Sequence, residues 1–503
     1  MSRGGGVAWR RRWWHPSRPV LVVLLPVAAL LLCEYGLYYL ALARCGSFPV
    51  PPPLPSGPGD TTEHDEGGDD LYLLVVADTH VLGPTGHWFD RARREWQMER
   101  AFQSVLSVLA PDAALVLGDA TDEGKWTTFR QWEEDVARFR RLFRNESEET
   151  RLEVVVGNHD IGFHNRMSSS RIRRFETEFG ESNRLFFVKD QPFVMLNSMA
   201  FEDECHLCQS AEDKLQQIVR QLKTGEADRL QRRPILLSHF PLFRRNQEFC
   251  SELDITHELV QKLSEFEGDE LQDGVLRYSN IPHKDVVSRE ATNHLMSALN
   301  PAFVFSGHNH YHCLYQHPNG VPELTVSTFS WRNRADPSFV LATRKRFGEH
   351  DDDGDGDERE AWARATEVEE EEEEGHEQDS LTPVTVEFTL GFTEEEADHD
   401  DRQRPREQIG ADETTKEQHG GGEARGEEKR PPGQEREEEE NGDEVVLEVE
   451  VYYKRCELPS ETTIISVYVL SAVLWLATLV SLCCSYAHKT VGKAASRKML
   501  KLV

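Results

Sequence analysis

The chain has 503 residues and a formal net charge of −32 at pH 7, with 57 lysines and arginines against 89 aspartates and glutamates. This balance argues against a nucleic-acid-binding surface, because phosphate backbones are bound by basic patches. Much of the excess lies in residues 349–450, which include the unbroken run Glu369–Glu374. Such a block repels itself and buries little apolar area, so we predict a disordered acidic insert at 344–444.

The first predicted element is a nearly continuous apolar stretch, Val20–Leu42, broken only by Glu34. As a helix of roughly 23 residues it would be about 35 Å long, enough to cross a bilayer. The alternative is a cleaved signal peptide, since Ala41-Leu42-Ala43 has the spacing of a cleavage site. The length favours a retained transmembrane helix at 20–42, followed by a Pro- and Gly-rich linker at 43–70.

Residues 71–343 alternate short apolar runs with segments of helical periodicity, which is typical of an α/β fold. A hairpin is expected at Phe186–Val188 and Phe193–Asn197. The predicted helices are Glu95–Leu109, Trp126–Phe143 and Ala211–Lys223. The predicted buried strands are Leu71–Ala77, Ala114–Leu117, Leu152–Val156, Ile235–Ser238 and Ala302–Phe305.

Two segments beyond this domain alternate like strands, Thr382–Leu390 and Val445–Tyr453, and the sequence does not decide which of them returns to the sheet. We place the returning strand and a linker at 445–461. A second apolar stretch, Ile464–Tyr486, has no charged residue and predicts a transmembrane helix at 462–486.

Cationic residues flank the outer ends of both apolar stretches, within 1–19 and 487–503. The positive-inside rule therefore places both termini in the cytosol and the domain between them in the lumen. The basic tail argues against a GPI-attachment signal, which ends in its hydrophobic stretch. Asn145-Glu146-Ser147 is a glycosylation sequon and suits this topology.

The cysteines suit an oxidising compartment, because six of the nine lie between the two apolar stretches. Cys205-x-x-Cys208 is open to three interpretations: half of a zinc site, a redox pair or a structural disulfide. We favour the disulfide, with Cys250 as one possible partner. The six are Cys45, Cys205, Cys208, Cys250, Cys313 and Cys456.

Each predicted buried strand is followed by side chains that can bind a metal. Ligands of open α/β sheets collect at the carboxyl ends of strands, so five such loops can form one site. Carboxylate, amide and imidazole donors without thiolate favour Mn²⁺, Fe or Zn²⁺ over Ca²⁺. The residues are Asp78 and His80, Asp119, Asn158 with His159 and Asp160, His239, and His308 with His310.

The order DxH, GDxxD, GNHD, H, GHxH resembles the calcineurin-like metallophosphoesterase superfamily over Leu71–Thr343. The resemblance implies a four-layer α/β sandwich with a dinuclear metal centre, for which Mn²⁺ is the favoured metal. One cation would be held by Asp78, His80, Asp119 and His310. The other would be held by Asp119, Asn158, His239 and His308.

The same resemblance gives two residues catalytic roles that do not involve binding the metals. His159 would stabilise the developing charge or protonate the leaving group, and Asp160 would orient its ring. Asp122 is expected to orient a ligand rather than bind metal. Arg332 and Arg334 are candidates for binding the substrate phosphate. The other histidines, His87, His164, His283 and His312, are interpreted as part of the fold or surface.

Four stretches, beginning at Gly157, Ser238, Ser306 and Ser327, are similar to a secretory-pathway branch of this superfamily. That branch removes a side-chain ethanolamine phosphate from the glycan of GPI anchors, supporting transport from the endoplasmic reticulum to the Golgi. The implied partners are GPI-anchored proteins as substrates, the membrane, and cargo receptors or coat proteins at the cytosolic tail. The implied location is endoplasmic reticulum exit sites, the intermediate compartment and the cis-Golgi.

Two alternatives on this fold remain open at this point, and a third is a tether in which the acidic insert is the working part. One is a lumenal phosphoesterase with another substrate, such as a nucleotide or a phosphoprotein. The other is a binding module without activity on the same fold, against which the complete set of ligand residues argues. The acidic insert is outside the resemblance.

Overall fold

The computed structural model describes residues 18–49, 70–145, 150–163, 166–202, 206–224, 232–245, 250–254, 280, 282–344 and 450–499. Several predictions concern residues outside these ranges. They are those for residues 50–69 of the linker, Cys205, His164, most of the sequon and nearly all of the insert, including Thr382–Leu390.

Two β-sheets form the centre of the domain. The first has the strand order β12-β11-β1-β2-β3 and the second β4-β5-β6-β8-β10-β9-β7. The strands of the first sheet are β1 Leu71–Val76, β2 Ala113–Val116, β3 Arg151–Val154, β11 Ser338–Arg344 and β12 Val451–Glu457. Those of the second are β4 Arg184–Val188, β5 Gln191–Leu196, β6 Ile235–Ser238, β7 Cys250–Asp254, β8 Phe303–Ser306, β9 His312–Gln316 and β10 Pro322–Thr325.

The alternation of side chains along the strands builds the layers, because successive residues point to opposite faces of a sheet. Leu73 and Val75 of β1 share one buried cluster with Met195 and Leu237 of the second sheet. Leu74 of β1 lies instead in a second buried cluster, which also contains residues of the helices on that sheet, such as Phe102 and Phe139. The expected sandwich of two sheets between helical layers is confirmed.

The helices connect the strands and cover the outer faces of the sheets. The helix α3 begins at Trp88, seven residues earlier than predicted, because the His87 side chain accepts a hydrogen bond from the Phe89 N–H and caps it. Thr128 and Gln131 form a capping box at the start of α4. The helices of the domain are α3 Trp88–Leu109, α4 Phe129–Leu142, α5 Asn158–Ile161, α6 Ser169–Phe179, α7 His206–Thr224 and α8 Arg289–Leu299.

Strand β12 is the returning strand that the sequence predicted near Val445–Tyr453. Its bounds are Val451–Glu457, and it pairs antiparallel with β11 from Val451↔Arg344 to Glu457↔Ser338. Only three residues separate it from the long helix α9, Glu461–Met499. The sheet and the second apolar helix are therefore joined by a short connection.

Among the described residues, two helices are long and apolar enough to cross a membrane, Val20–Cys45 and Glu461–Cys484. The first consists of α1 Arg18–Leu31, a π-helical turn Leu32–Gly36 and α2 Leu37–Cys45. The two pack together through a hydrogen bond from Trp475 Nε1 to the Val22 carbonyl (2.8 Å). Both predicted transmembrane stretches are thus helical, and each extends beyond its predicted bounds.

The carboxyl-terminal half of the first apolar helix packs into the core of the domain. Tyr38 and Leu42 are 1% and 5% exposed and lie in the same cluster as the helices on the first sheet. Arg93 of α3 forms an ion pair with Glu34 (3.0 Å). Cleavage after Ala43 would remove these buried side chains, and retention of the helix stays a prediction.

Disulfides join Cys45 to Cys456 and Cys250 to Cys313. The pairing of Cys250 with the Cys205-x-x-Cys208 motif, which the sequence offers as one possibility, is therefore wrong. Its partner lies in β9, next to β7 in the sheet, where the pairing of the strands brings the two Cα atoms to 5.4 Å. Cys208 is also disulfide-bonded, which supports the structural interpretation of that motif over a zinc site.

The Cys45–Cys456 disulfide ties the first helix to β12, and we expect its removal to destabilise the chain. Cys45→Ser/Cys456→Ser should lower the free energy of unfolding by about 2–5 kcal/mol. Thermal unfolding of the detergent-solubilised full chain measures this. A matched control is Cys483→Ser/Cys484→Ser, which alters two exposed free thiols. An unchanged midpoint in the first variant would show that the disulfide adds no stability.

Candidate metal centre

The five predicted loops meet at one place, where the carboxyl ends of β1, β2, β3, β6 and β8 face each other across the two sheets. Five of the residues there have backbone torsions in the left-handed region, which non-glycine residues rarely adopt. Each such residue costs roughly 1–3 kcal/mol, and strain of this kind collects at functional sites. They are Asp78 (φ 52°), His80 (φ 43°), Asp119 (φ 48°), His308 (φ 70°) and His310 (φ 60°).

Two glycines allow the loops to come this close. A Cβ on Gly118, which has φ +89°, would lie 2.3 Å from Nδ1 of His239. A Cβ on Gly157 would lie 2.2 Å from the backbone nitrogen of Asp119. Both contacts are shorter than any side chain tolerates, so these positions need glycine for the close approach of β2, β3 and β6.

The first group of side chains gathers around Asp78 and His80. His80 Nε2 lies 3.5 Å from Asp119 Oδ2 and 3.3 Å from His310 Nε2. His310 Nε2 lies 3.7 Å from Asp78 Oδ1. Donor atoms of Asp78, His80 and His310 lie close enough together to hold one cation.

The second group adjoins the first at Asp119, whose Oδ2 also lies beside His80. His239 Nε2 lies 3.4 Å from Asp119 Oδ2 and 3.0 Å from Asn158 Oδ1. Donor atoms of Asp119, His239 and His308 lie close enough together to hold a second cation. All seven predicted ligand residues are thus in the site, with Asp119 between the two groups; their role as ligands stays a prediction.

The charges of these groups suit a cation. Asp78 Oδ1 is buried and has no hydrogen-bond partner, which is costly unless the oxygen binds a positive charge. Burial raises the pKa of Asp78 well above its ordinary value. Burial alone would lower the pKa of His239, but the carboxylates of Asp119 and Asp78 raise it to about 9. The unpartnered Asp78 oxygen and the imidazole and carboxylate donors gathered around it therefore fit metal ions.

Hydrogen bonds fix which nitrogen of three histidines faces the site. His239 Nδ1 donates to the Leu117 carbonyl (2.7 Å), so its Nε2 is left as the acceptor. His308 Nε2 donates to the Lys284 carbonyl (2.8 Å), which leaves Nδ1. His80 Nδ1 donates to Asp122 Oδ1 (3.1 Å). An outer partner on the second nitrogen is the usual arrangement for histidines that bind a metal.

Asp122 links this shell to an arginine on the open side of the site. Although burial opposes it, hydrogen bonds from His80 and Arg332 hold the pKa of Asp122 at about 2. The Arg332 guanidinium lies 3.0 Å from Asp122 Oδ2, and its side chain is 42% exposed. Asp122 therefore contacts the ring of a predicted ligand, and Arg332 lies partly exposed beside it; its binding of phosphate stays a prediction.

Arg334, the other predicted phosphate contact, does not face the site. Its side chain is 5% exposed and pairs with Asp336 (3.1 Å) and Asp254 (3.0 Å). These two carboxylates account for its charge, and they hold the segment after β10 to the end of β7. Its predicted role in substrate binding is corrected to a structural one.

His159 stands beside the ligands with its ring partly open to solvent (29% exposed). Its backbone N–H donates to Asp119 Oδ1 (2.7 Å), and its Nδ1 donates to the Asp122 carbonyl (2.6 Å). Nε2 is thereby left as the nitrogen that a substrate could meet. This geometry suits a group that exchanges a proton or a hydrogen bond with a bound phosphoester.

The expectation that Asp160 orients the His159 ring is wrong, because the Asp122 carbonyl does so. The Asp160 carboxylate is fully buried and accepts from the N–H groups of Gly157 (3.0 Å) and Thr121 (2.9 Å). It also accepts from Ala120 N–H and the Thr121 hydroxyl. Through these hydrogen bonds, Asp160 joins the loop after β3 to the loop after β2 and positions both.

The remaining candidates are explained by local contacts. His87 caps α3, His283 pairs with Glu202, and His312 is buried beside Glu252 (3.2 Å). Asn145 donates to the Thr150 carbonyl, and its glycosylation stays a prediction.

Sequence reasoning missed Asn333, whose Nδ2 lies 3.4 Å from His310 Nε2 and 3.2 Å from Thr328 Oγ1. The signal in the sequence that could have identified it is its position between Arg332 and Arg334, the two candidate phosphate contacts.

Comparison with known proteins places the chain among phosphoesterases. Residues 71–312 match the family model described as calcineurin-like phosphoesterase. The chain is 42% identical over 358 residues to rat Metallophosphoesterase 1, covering 67% of this chain and 84% of the relative. It is 38% identical over 339 residues to zebrafish Metallophosphoesterase 1, covering 64% of this chain and 82% of the relative.

Among solved structures, the chain is similar to a dimetal phosphatase from zebrafish, with 12% identity and a TM-score of 0.36. That match covers 54% of this chain and 92% of the other. The similarity is too low to support an argument, and the family assignment rests on the sequence matches.

Proposed function

The chain belongs to the calcineurin-like phosphoesterases, in the metallophosphoesterase 1 family, and from this premise we propose that it is a phosphodiesterase that removes a side-chain ethanolamine phosphate from the glycan of GPI anchors. That it is a metal-dependent phosphoester hydrolase follows from the family itself. The observation that carries the proposal is the two-part cluster around Asp119 on a domain joined directly to two apolar helices.

The site divides the work of hydrolysis among its residues. Asp78, His80, Asp119 and His310 would hold one divalent cation, and Asp119, Asn158, His239 and His308 the other. A pair of divalent cations held there would supply polarisation of a phosphoryl oxygen and a water molecule of lowered pKa. The residue set tolerates Mn²⁺, Zn²⁺ or Fe, and we propose Mn²⁺ from the family resemblance.

Two side chains on the open side would act on the substrate itself. His159 presents Nε2, from which it can donate to the developing charge or to the leaving alkoxide. Arg332 presents a fixed planar guanidinium, which suits bidentate binding of a phosphate. Asp122 holds both side chains in place, since its carbonyl binds the His159 ring and its carboxylate binds the Arg332 guanidinium. None of these roles requires a covalent intermediate with the protein.

Support for a GPI-linked substrate comes from the similarity of the stretches around the ligands to the branch with that activity, and from the two apolar helices. Disulfides Cys45–Cys456 and Cys250–Cys313 suit a lumenal domain, because such bonds form in oxidising compartments. We therefore propose a multi-pass protein of the early secretory pathway with cytosolic termini and GPI-anchored proteins as substrates. Cargo receptors or coat proteins would bind its tail.

Mass analysis of GPI glycans from knockout cells tests this function. We expect glycans that keep the side-chain ethanolamine phosphate and slower export of GPI-anchored proteins from the endoplasmic reticulum. Re-expression of the full chain should restore both, whereas Asp119→Asn should restore neither. If the glycans are unchanged while the purified chain still cleaves bis(p-nitrophenyl) phosphate, the enzyme acts on another phosphoester.

A further inference from the structure

The predicted metal centre lies at the end of the first sheet where β1 has its carboxyl end. The chain also leaves the sheet at this end to enter the second apolar helix. Strand β12 runs parallel to β1, since both pair antiparallel with β11. Glu457 pairs with Ser338, which lies beyond the Val75↔Val340 pair towards the carboxyl end of β1. The metal-binding loop after β1 and the exit of β12 towards Glu461 are therefore on the same side of the domain.

A short segment links the metal centre to the start of that helix. Thr328 Oγ1 donates to the Asp78 carbonyl (2.8 Å), three residues before Trp331. Trp331 Nε1 donates to the Pro459 carbonyl (3.0 Å), and the Glu461 N–H donates to the Ala335 carbonyl (2.9 Å). The beginning of the apolar helix is thus fixed to the segment that packs against a predicted metal ligand.

Helix α3, which starts on this same side, is fastened to both apolar helices. Arg93 pairs with Glu34 in the first (3.0 Å), and Arg94 pairs with Glu461 at the start of the second (3.0 Å). These two ion pairs hold the beginning of α3 beside Glu34 of the first apolar helix and Glu461 at the start of the second. A bilayer crossed by the two apolar helices would begin beyond these pairs on this side.

Four large aromatic side chains on this side are exposed instead of buried. They follow the two loops that carry Asp78 and Asp119, which adjoin through a hydrogen bond from Thr85 to Glu123. We call them the aromatic rim: Trp88 (67% exposed), Phe89 (60%), Trp126 (61%) and Phe129 (64%).

We propose that the aromatic rim inserts into the head-group region of the bilayer that the chain's own two helices enter, so that the metal centre faces the membrane surface and acts on phosphoesters held close to it. Aromatic side chains, tryptophan above all, prefer this region of a membrane. Continuity with the apolar helices, through Arg93, Arg94 and Pro459, identifies lipid as the occupant of this face. The substrate preference rests on the proposed phosphoesterase function, whereas the insertion of the rim does not.

Spin-label accessibility in the full chain tests the insertion directly. A nitroxide at Phe129→Cys, in a Cys33→Ser/Cys483→Ser/Cys484→Ser background, is measured in phosphatidylcholine nanodiscs. The control is Val108→Cys, at the other end of α3 and 53% exposed. We expect the ratio of oxygen to nickel-chelate collisions to be several-fold higher at position 129 than at 108. Equal ratios would overturn the proposal.

Activity on two probes tests the consequence. Trp126→Ser/Phe129→Ser should lower hydrolysis of a lipid-linked p-nitrophenyl phosphodiester in vesicles roughly tenfold, because two apolar anchors are lost. Hydrolysis of soluble bis(p-nitrophenyl) phosphate should be unchanged, and Val108→Ser should alter neither rate. Equal loss on both probes, or no loss on either, would overturn the preference. If the wild-type chain cleaves neither probe, the proposed function fails, and the spin labels still decide the insertion.

Discussion

Replacing Asp119 with asparagine is expected to lower kcat/KM by about 10³-fold, the equivalent of several kcal/mol of lost metal-assisted stabilisation of the transition state. Asp119 belongs to both predicted ligand sets, and its Oδ2 lies 3.5 Å from His80 Nε2 and 3.4 Å from His239 Nε2. Removing its charge would weaken both cation sites together. Soluble bis(p-nitrophenyl) phosphate as substrate makes the measurement independent of the natural one.

Asparagine is chosen over alanine because of the backbone at this position. Asp119 has φ 48°, and asparagine adopts the left-handed region more readily than alanine. Its amide oxygen can still accept from the His159 N–H, which now donates to Asp119 Oδ1. The matched control is Asp213→Asn on the exposed face of α7, which should keep full activity. A variant at 119 that stays active would mean that no bridging carboxylate is needed.

Replacing His159 with alanine should lower kcat by roughly 10²–10⁴-fold, the usual contribution of a positioned acid or base, and leave the metal content intact. The reason is geometric, because the His159 ring bonds through Nδ1 to the Asp122 carbonyl and presents Nε2 to the open side. The hydrogen bond from His159 to Asp119 comes from its backbone N–H, so it survives loss of the ring, although the ring also lies within reach of the donor atoms of His80 and Asp119. Parallel measurement of kcat and of bound metal separates the two effects.

The control for that variant is His294→Ala, which removes an exposed histidine of α8 that is paired with Glu212 (2.8 Å). It should change neither kcat nor metal content. Loss of metal from the His159 variant would make His159 a ligand, and wild-type turnover would remove it from the chemistry.

The position of the site could be predicted from the sequence because it follows from strand ends alone. Leu71–Val76, Ala113–Val116 and Ile235–Ser238 are short apolar runs, and each is followed by a polar residue with ligating atoms. The carboxyl ends of parallel strands share one edge, so the loops converge whatever the details of packing. For the same reason, the ligand residues were named without knowledge of which sheet carries each strand.

The contacts that were predicted wrongly depend on tertiary packing. Asp160 is next to His159 in sequence, but the short helix α5 turns its carboxylate towards the Thr121 and Gly157 N–H groups. Arg334 is two residues from Arg332, yet it is drawn into ion pairs with Asp254 and Asp336. Neighbours in a turn point in different directions, and sequence spacing alone does not say which of them faces the site.

Contacts between segments that are distant in the sequence could not be predicted either. Cys250 and Cys313 meet because β7 and β9 are neighbours in the second sheet. The role of Tyr38 and Leu42 in the core was missed, because an apolar residue in a predicted membrane helix has the same pattern whether it faces lipid or protein. The early start of α3 depends on the His87 cap, and histidine is not among the common capping residues.

The central claim, that loops from five strands together hold two cations, is tested most directly by locating the metals in the purified full chain. An anomalous scattering map combined with elemental analysis gives both their number and their place. We predict two divalent ions per chain, one among Asp78, His80 and His310 and one among Asn158, His239 and His308, with Asp119 between them. Absence of both ions from this position in an active preparation would contradict the account.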